Sequence, residues 1–330
     1  MDNVNKAATT VTSRNVHVDR PLTSIAVAYI QDAAGFVADK VFPVVKVDHQ
    51  TDMYWIFDRE YFFRSQAKER APGTEAVGGT FGLSTGTFSC KVYAFKEFIP
   101  DQIRANADLS LDTAITQTIT QQMLLLKENK FAEVAFGTGV WANEATGADA
   151  DGEGQFIYFN DPDCDPVRLI KDARMAIKKT TGFMPNKLVI GEELFEELSI
   201  HPKIIDRFKY TTSDVITEQM LAKLFRVDEF IVASAIQTTS EEGLDNVKDY
   251  SWIVANAMLL CYTTKSAAMM MPTAGYTFLW DKMGSSQNIG IKKYRDEARE
   301  SDVLEAQMAF EHKVICPDLG YLFTNCIKTA

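Results

Sequence analysis

Two strand-like stretches flank a polar, turn-rich tip, and a chain built this way cannot bury both faces of the resulting arm by itself. The first stretch, VFPVVKVDHQTDMYWIFDREYFFR, is dominated by β-branched and aromatic residues, which predicts extended backbone. The second, TFSCKVYAFKEFIP, predicts a strand in which Phe88, Cys90, Val92 and Ala94 alternate with Ser89, Lys91 and Tyr93. Between them runs RSQAKERAPGTEAVGGTF, Arg64 to Phe81. It carries Arg64, Lys68 and Arg70, then turns to Pro, Gly and small uncharged residues. The pattern predicts an extended β-hairpin. An isolated hairpin is marginal in water, so this one must lie across its own domain or across a neighbour.

The basic tip belongs to an acidic chain: 34 Lys and Arg stand against 45 Asp and Glu, a formal net charge of −11. That balance argues against a surface that grips nucleic acid, though not against a wall standing beside it. No apolar run approaches the ~20 residues of a membrane span; IVANAMLLCY is about half that length and reads as buried strand or core helix. The N-terminal MDNVNKAATTVTSR lacks the basic-then-apolar layout of a signal peptide. Five scattered cysteines without a CxxC pair imply free thiols in a reducing compartment, with Cys316 and Cys326 the nearest pair in sequence.

Along the chain, residues 1 to 20 are polar and carry no core pattern. Leu22, Ile25, Ala26, Tyr29, Ile30, Ala33, Phe36 and Val37 then step by three and four, which predicts one apolar helix face. The clearest element is LSLDTAITQTITQQMLLLKENKFAEVAFG. Leu111, Ile115, Ile119, Met123 and Leu126 define a face, Ser110 an N-cap, Asp112 a favourable charge at the positive helix end, and Gly137 the stop. Leu111 to Phe136 would make a beam of about 39 Å. Residues 138 to 167 read as an acidic loop. From 168 onward, helices alternate with short strands: KLVIG and the helix EELFEELSIHP, then a helix at 217–225 and a strand at 229–234. DYSWIVANAMLLCYTT adds an apolar strand. The last part is mostly strand, with Leu304, Ala306, Met308 and Phe310 alternating with Val303, Glu305, Gln307 and Ala309. The fold class is α+β.

Motifs for catalysis are weak. GTGVWA at Gly137 matches GxGxxA, but it follows a helix and opens a loop, the reverse of a dinucleotide fingerprint. DADGEGQFIYFN, Asp149 to Asn160, places acids and Gly154 as a calcium loop does, yet Asn160 stands where a bidentate Glu is needed. His17, His49, His201 and His312 form no metal-ligand set, and His201, before Pro202 at a helix end, is placed to cap the helix or face its last carbonyls. No catalytic residue, cofactor or metal is assigned. Lys68 reads as a solvated or ion-paired lysine rather than a cross-linking one.

The order of these parts resembles the major capsid protein of tailed bacteriophages, the Hong Kong 97-type fold. FVADKVFPVVKVDHQTDMYWIFD, RSQAKERAPGTEA, KVYAFKEFIPDQIRANADLSLDTAITQTI and PNKLVIGEELFEELSIHPKIIDRFKY carry the resemblance, which covers nearly the whole chain. It implies an N-terminal arm at 1–50, an extended loop at 51–95 and a peripheral domain at 96–179 with a spine helix at 111–136. A compact α/β axial domain at 180–265 and a return to the peripheral domain at 266–330 follow. It implies a viral structural protein that self-assembles into hexamers and pentamers, an icosahedral virion shell enclosing double-stranded DNA, built in the host cytoplasm without a membrane. A portal, a scaffolding protein and decoration proteins are the implied partners. The fused scaffold segment of the family finds no room before this arm, so a separate scaffold or a processed chain is expected.

Under that resemblance the hairpin lies over the adjacent subunit. Arg64, Lys68 and Arg70 would meet a neighbour's carboxylates, and Tyr54, Trp55, Phe57, Tyr61, Phe62 and Phe63 would anchor the contact. The alternative is a soluble α/β enzyme or metal-binding protein with an inserted β-arm, using the acidic 144–165 segment.

Overall fold

In the computed structural model the described residues are 31–57, 59–80, 82–107, 110–208, 216–238, 240, 249–266, 271–283 and 289–328. In chain order they form α1 (Ala38–Val41), β1 (Val44–Val47), β2 (Thr51–Phe57), α2 (Arg59–Phe63), β3 (Leu83–Ser89) and β4 (Lys91–Pro100). Then come α3 (Asp101–Asn106), α4 (Leu111–Ala135), β5 (Asn143–Ala148), β6 (Gln155–Ile157), α5 (Pro166–Thr181) and β7 (Lys187–Gly191). Helices α6 (Glu192–Ile200), α7 (Pro202–Phe208) and α8 (Glu218–Phe225) lead to β8 (Glu229–Ala233), β9 (Ile236–Thr238), β10 (Tyr250–Trp252) and β11 (Ala257–Cys261). The chain ends in β12 (Gly275–Trp280), β13 (Gly290–Asp296), β14 (Ser301–Val314) and β15 (Gly320–Thr324).

Besides two large sheets, β9 with β10 and β2 with β3 form two-stranded pairs. Strand β14 organises the first large sheet. It pairs antiparallel with β4 along one side and with β13 and β12 along the other, and β1 adds parallel to β12. Its predicted alternation holds: Leu304, Ala306, Met308 and Phe310 are buried on one face, against Ile119 and Met123 of α4. On the opposite face Phe88, Cys90 and Tyr54 from the hairpin base cover β1 and β12, and Val303 and Ala309 of β14 are buried as well.

The second sheet has the order β6-β5-β15-β11-β7-β8. Leu188, Ile190, Met258, Leu260 and Phe323 meet the apolar stripes of α5, α6, α7 and α8. Asp165 caps α5 by accepting from the Arg168 N–H at 3.1 Å, and Gly182 ends it at φ 78°, a left-handed position that suits glycine. Val189, Leu259, Cys261 and Leu322 on the other face pack against Phe131 and Ala135 of α4 and against Val37, Val41 and Phe42. The 25 residues of α4, about 37 Å, therefore serve both cores in turn.

Helix α1 joins the two halves. The Glu128 carboxylate on α4 accepts the Val37 and Ala38 N–H groups, each at 3.0 Å, and so caps α1 from another element. Burial pushes the Glu128 carboxyl up from its ordinary range, against the pull of those two N–H groups. Lys127 reaches Asp39 of α1 at 2.6 Å, and Lys187 of β7 donates to the Lys40 carbonyl at its other end. The Phe42 ring meets Phe131 edge-on at 5.2 Å. His312 of β14 donates from Nε2 to the Lys127 carbonyl at 3.2 Å, which leaves Nδ1 to accept from the Thr277 hydroxyl at 2.8 Å.

Several expectations change. The helix predicted at 22–37 lies largely outside the described residues; its described end is a 3-10 turn at Ala33–Gly35, and α1 begins only after Val37. REYFF is a single helical turn, α2, rather than strand. The alternation predicted across 88–94 reverses after Cys90: Val92 is exposed and Tyr93 turns inward. The chain changes sheet there, with the Cys90 N–H held by the Gln50 carbonyl at 2.8 Å. Residues 138–167 contain β5 and β6, both parallel-paired, so the segment is not merely loop. These strands and β15 share a sheet with β7, so strand pairing does not divide at residues 180 and 265. His201 is the C-cap of α6, its N–H on the Leu198 carbonyl at 3.3 Å, but its ring turns elsewhere: Nδ1 accepts from the Lys203 N–H and Nε2 meets the Asp161 carbonyl, each at 3.2 Å. Asp112 pairs with Arg104 at 2.8 Å and Lys293 at 3.1 Å, tying α3 and β13 to the start of α4. All five cysteines are free.

Phe131 has no exposed surface, so Phe131→Ala should cost about 3–5 kcal/mol, read as a lowered urea midpoint with an unchanged slope. Burial, aided by Lys127, holds the His312 imidazole down from 6.5 to about 3. The unfolded chain therefore binds a proton near pH 6.5 and the folded chain only near pH 3. Stability rises with pH across that window and is lost as pH falls below about 6.5. Denaturant midpoints from pH 7 to pH 4 should fall less steeply in His312→Gln, whose amide retains one donor and one acceptor.

Candidate assembly interface

Strands β2 and β3 form a two-stranded ribbon outside both sheets, in antiparallel register from Thr51 opposite Ser89 to Phe57 opposite Leu83. Its base is tied to the body. Ser89 donates its N–H to Glu311 at 2.6 Å, Lys313 donates to the Thr87 carbonyl, and Tyr54 stacks over Phe278 at 6.0 Å. Gly86 is required beneath Tyr54, because a Cβ there would lie 2.3 Å from the Tyr54 ring. Arg59 of α2 adds an ion pair to Asp318 at 2.9 Å, and a Phe63 ring edge passes over Gly182.

Beyond these ties the ribbon leaves apolar surface in the open. Trp55 is 65% exposed, Phe63 62% and Phe62 53%. Met53 at 64% and Leu83 are also exposed apolar side chains, and unlike Trp55 they are not among the residues that the sequence pattern singles out. Strand alternation places Met53 on the Trp55 face; the choice of Leu83 needs the register opposite Phe57. Tyr54 and Phe57 are half-buried, Tyr54 against its own Phe278 and Phe57 edge-on to Phe62 at 6.5 Å. Tyr61 is half-buried and also meets Phe62, at 5.7 Å.

The segment from Arg64 to Thr80 is exposed at almost every position. A turn at Ala71–Thr74, with Gly73 at φ 80°, is closed by the Thr74 N–H and hydroxyl on the Ala71 carbonyl. Arg70 donates its Nε–H to the Thr74 carbonyl, which fixes its direction, while Arg64 and Lys68 are exposed. Glu69 and Glu75 share the segment, so its net charge is a single positive unit.

Two other expectations bear on the alternative function. GTGVWA follows α4, and the Gly139 and Trp141 N–H groups are bound by the Glu144 carboxylate at 2.8 Å and 3.1 Å, within the chain. Asp149, first of the calcium-like segment, pairs with Lys328. Among the described residues no group of three His, Cys, Asp or Glu side chains is placed to hold a metal ion, and no helix is long and apolar enough to cross a membrane.

No family model matches the chain. It is 24% identical over 311 residues to the major capsid protein of Burkholderia phage BcepMu, covering 93% of this chain and 96% of that one. Among solved structures it is similar to a phage-related protein from Bordetella bronchiseptica RB50, with a TM-score of 0.68 and 21% identity over 91% of this chain and 95% of that one. The capsid structure of the cyanophage P-SCSP1u follows, with a TM-score of 0.60 and 11% identity over 97% and 100% of the two chains.

Because Trp55 has little to lose on folding, Trp55→Ser should change unfolding free energy by no more than about 0.5 kcal/mol. The same substitution should weaken self-association, read as a smaller assembled fraction by light scattering coupled to size-exclusion chromatography.

Proposed function

We propose that this chain, which has the Hong Kong 97-type capsid fold, is the major capsid protein of a tailed bacteriophage and closes an icosahedral shell by association with its own copies. It is a structural subunit, and no catalytic step is assigned to it. The observation that carries this reading is the ribbon: it leaves its own body with Trp55, Phe62 and Phe63 uncovered, and the body cores close without those three side chains.

The copies form hexamers and pentamers around double-stranded DNA, in a virion assembled in the host cytoplasm. Net charge −11 suits a liner that does not bind packaged DNA tightly. The five-stranded sheet with α4 is the peripheral domain; the six-stranded sheet with α5 to α8 is the axial domain, including 143–157 and 320–324. Residues 51–95 are the extended loop and 1–50 the N-terminal arm. Portal, scaffolding and decoration proteins are its further partners. Arg64, Lys68 and Arg70 set register on a neighbour's carboxylates, and Tyr54, Trp55, Phe57, Tyr61, Phe62 and Phe63 provide or support the apolar part of that contact. An exposed ion pair contributes only about 0.2–1 kcal/mol, but a closed shell repeats it in every subunit.

Electron microscopy of purified protein tests the reading. Wild type should give capsomers or closed particles. The triple variant Arg64→Glu, Lys68→Glu, Arg70→Glu should keep its thermal transition and give neither. Normal particles from that variant would refute the role given to the basic tip, and a wild type that remains a dimer would refute the shell.

A further inference from the structure

Two opposite charge patches at the ends of α8 have no partners within the chain's described residues. At the C-terminal end, Arg226 caps α8 in a left-handed conformation, φ 53°, and is exposed. Helix α5 packs against α8 and brings Arg174 towards it. The Arg174 Nε is buried with no hydrogen-bond acceptor. Burial first, then the Arg226 charge, lowers the pKa of the Arg174 guanidinium, so two cations face each other where a carboxylate would be welcome. An Arg is seldom left with a buried donor unpaired, and its planar fork suits a carboxylate.

At the N-terminal end, Glu218 opens α8, and Glu192 and Glu196 lie one turn apart on α6. Burial first, then Glu196 and Glu218, raises the Glu192 carboxyl. No Lys or Arg of the described residues forms an ion pair with any of the three. The eight residues of α8 separate the two ends by about 12 Å along its axis. One unit thus presents an unpaired basic patch and an unpaired acidic patch on either side of one short helix.

We propose that Arg174 and Arg226 of one copy dock on Glu192 and Glu196 of the next copy around the capsomer ring, which rests on the shell reading above. A ring built by rotation joins two different surfaces of the same chain, so its interface is head-to-tail and must be complementary rather than self-complementary. Patches of unlike charge on one subunit meet that requirement. Like charges in the wrong register repel, which favours the closed ring over random association. The contact brings carboxylates to the half-buried Arg174 side chain and the exposed Arg226, and relieves the crowding of carboxylates around Glu192. The hairpin is not needed for it: this is a second, independent contact at the other domain.

Charge reversal tests the contact. Full-length Arg174→Glu/Arg226→Glu and Glu192→Lys/Glu196→Lys should each lose at least tenfold of the capsomer fraction, measured by native mass spectrometry. The fourfold variant carrying all these substitutions should recover it, and because it carries every one, a folding defect would persist there. Mixing the two double variants gives the sharper outcome. Unlike patches then meet only where the variants alternate, so six-membered rings should return while five-membered rings stay absent. Double variants that assemble like wild type overturn the contact alone, as does a fourfold variant that fails to recover. A wild type that never leaves the monomer overturns the shell reading and the contact with it.

Discussion

The buried carboxylate of Glu128 is the point on which the rest of the molecule hangs. A helix of four residues does not form by itself, since nucleation fixes several dihedrals for each hydrogen bond gained. Helix α1 exists because side chains from elsewhere satisfy its ends. Glu128 takes the Val37 and Ala38 N–H groups, Lys127 neutralises Asp39, and Lys187 takes the Lys40 carbonyl. Burying Lys127 and Glu128 is costly in isolation and is offset only because Lys127 meets an opposite charge and Glu128 meets polarised N–H groups. The ring of contacts is also the junction of the two sheets: α4 contributes Glu128 and Lys127, β7 contributes Lys187, and Thr277 and His312 close it from β12 and β14. The segment leading into α1 is thereby fixed to both halves at once.

That junction marks the limit of what the residues disclose by themselves. Leu111, Ile115, Ile119 and Met123 announce the first half of α4, because apolar residues at four-residue steps mean a buried face. The seam continues through Lys127, Phe131 and Ala135, and a lysine at a core position reads as surface until its partner, 88 residues away, is known. Leu126, apolar and one step off, is half-buried beside Ile253 and Phe136 instead. NEATGA of β5 fails for the converse reason. It is small and polar, and only parallel pairing with β15, 178 residues on, makes it a strand. The apolar strands of the six-stranded sheet are legible because their burial on both faces shows as unbroken runs such as KLVIG.

The ribbon shows the same division between kind and direction. A run of aromatics next to a turn-rich tip says that a protrusion exists. It does not say which side chains point inward, since a one-residue shift exchanges the faces. Register decides it: Tyr54 opposite Gly86 turns its ring towards the body, and Met53 and Trp55 are left facing out. Phe57, Tyr61 and Phe62 then pack on one another, which stiffens α2 and the strand end. A rigid aromatic group loses little entropy when a partner covers it, so these internal contacts would lower the cost of the proposed external one.

Folding and association therefore draw on different parts of this chain. Both cores close around β14, α4 and β11 without help from the outermost residues of the ribbon. A subunit with this division can fold first and associate later, and its association can remain weak per contact. Weak contacts let a misplaced subunit leave before it is trapped, whereas a strong apolar seam would retain errors. Closure then comes from number: each copy engages its neighbours through several sites, and leaving requires breaking them together. An acidic body with locally basic patches would add direction to this, because repulsion between bodies is relieved in arrangements that bring a basic patch to carboxylates.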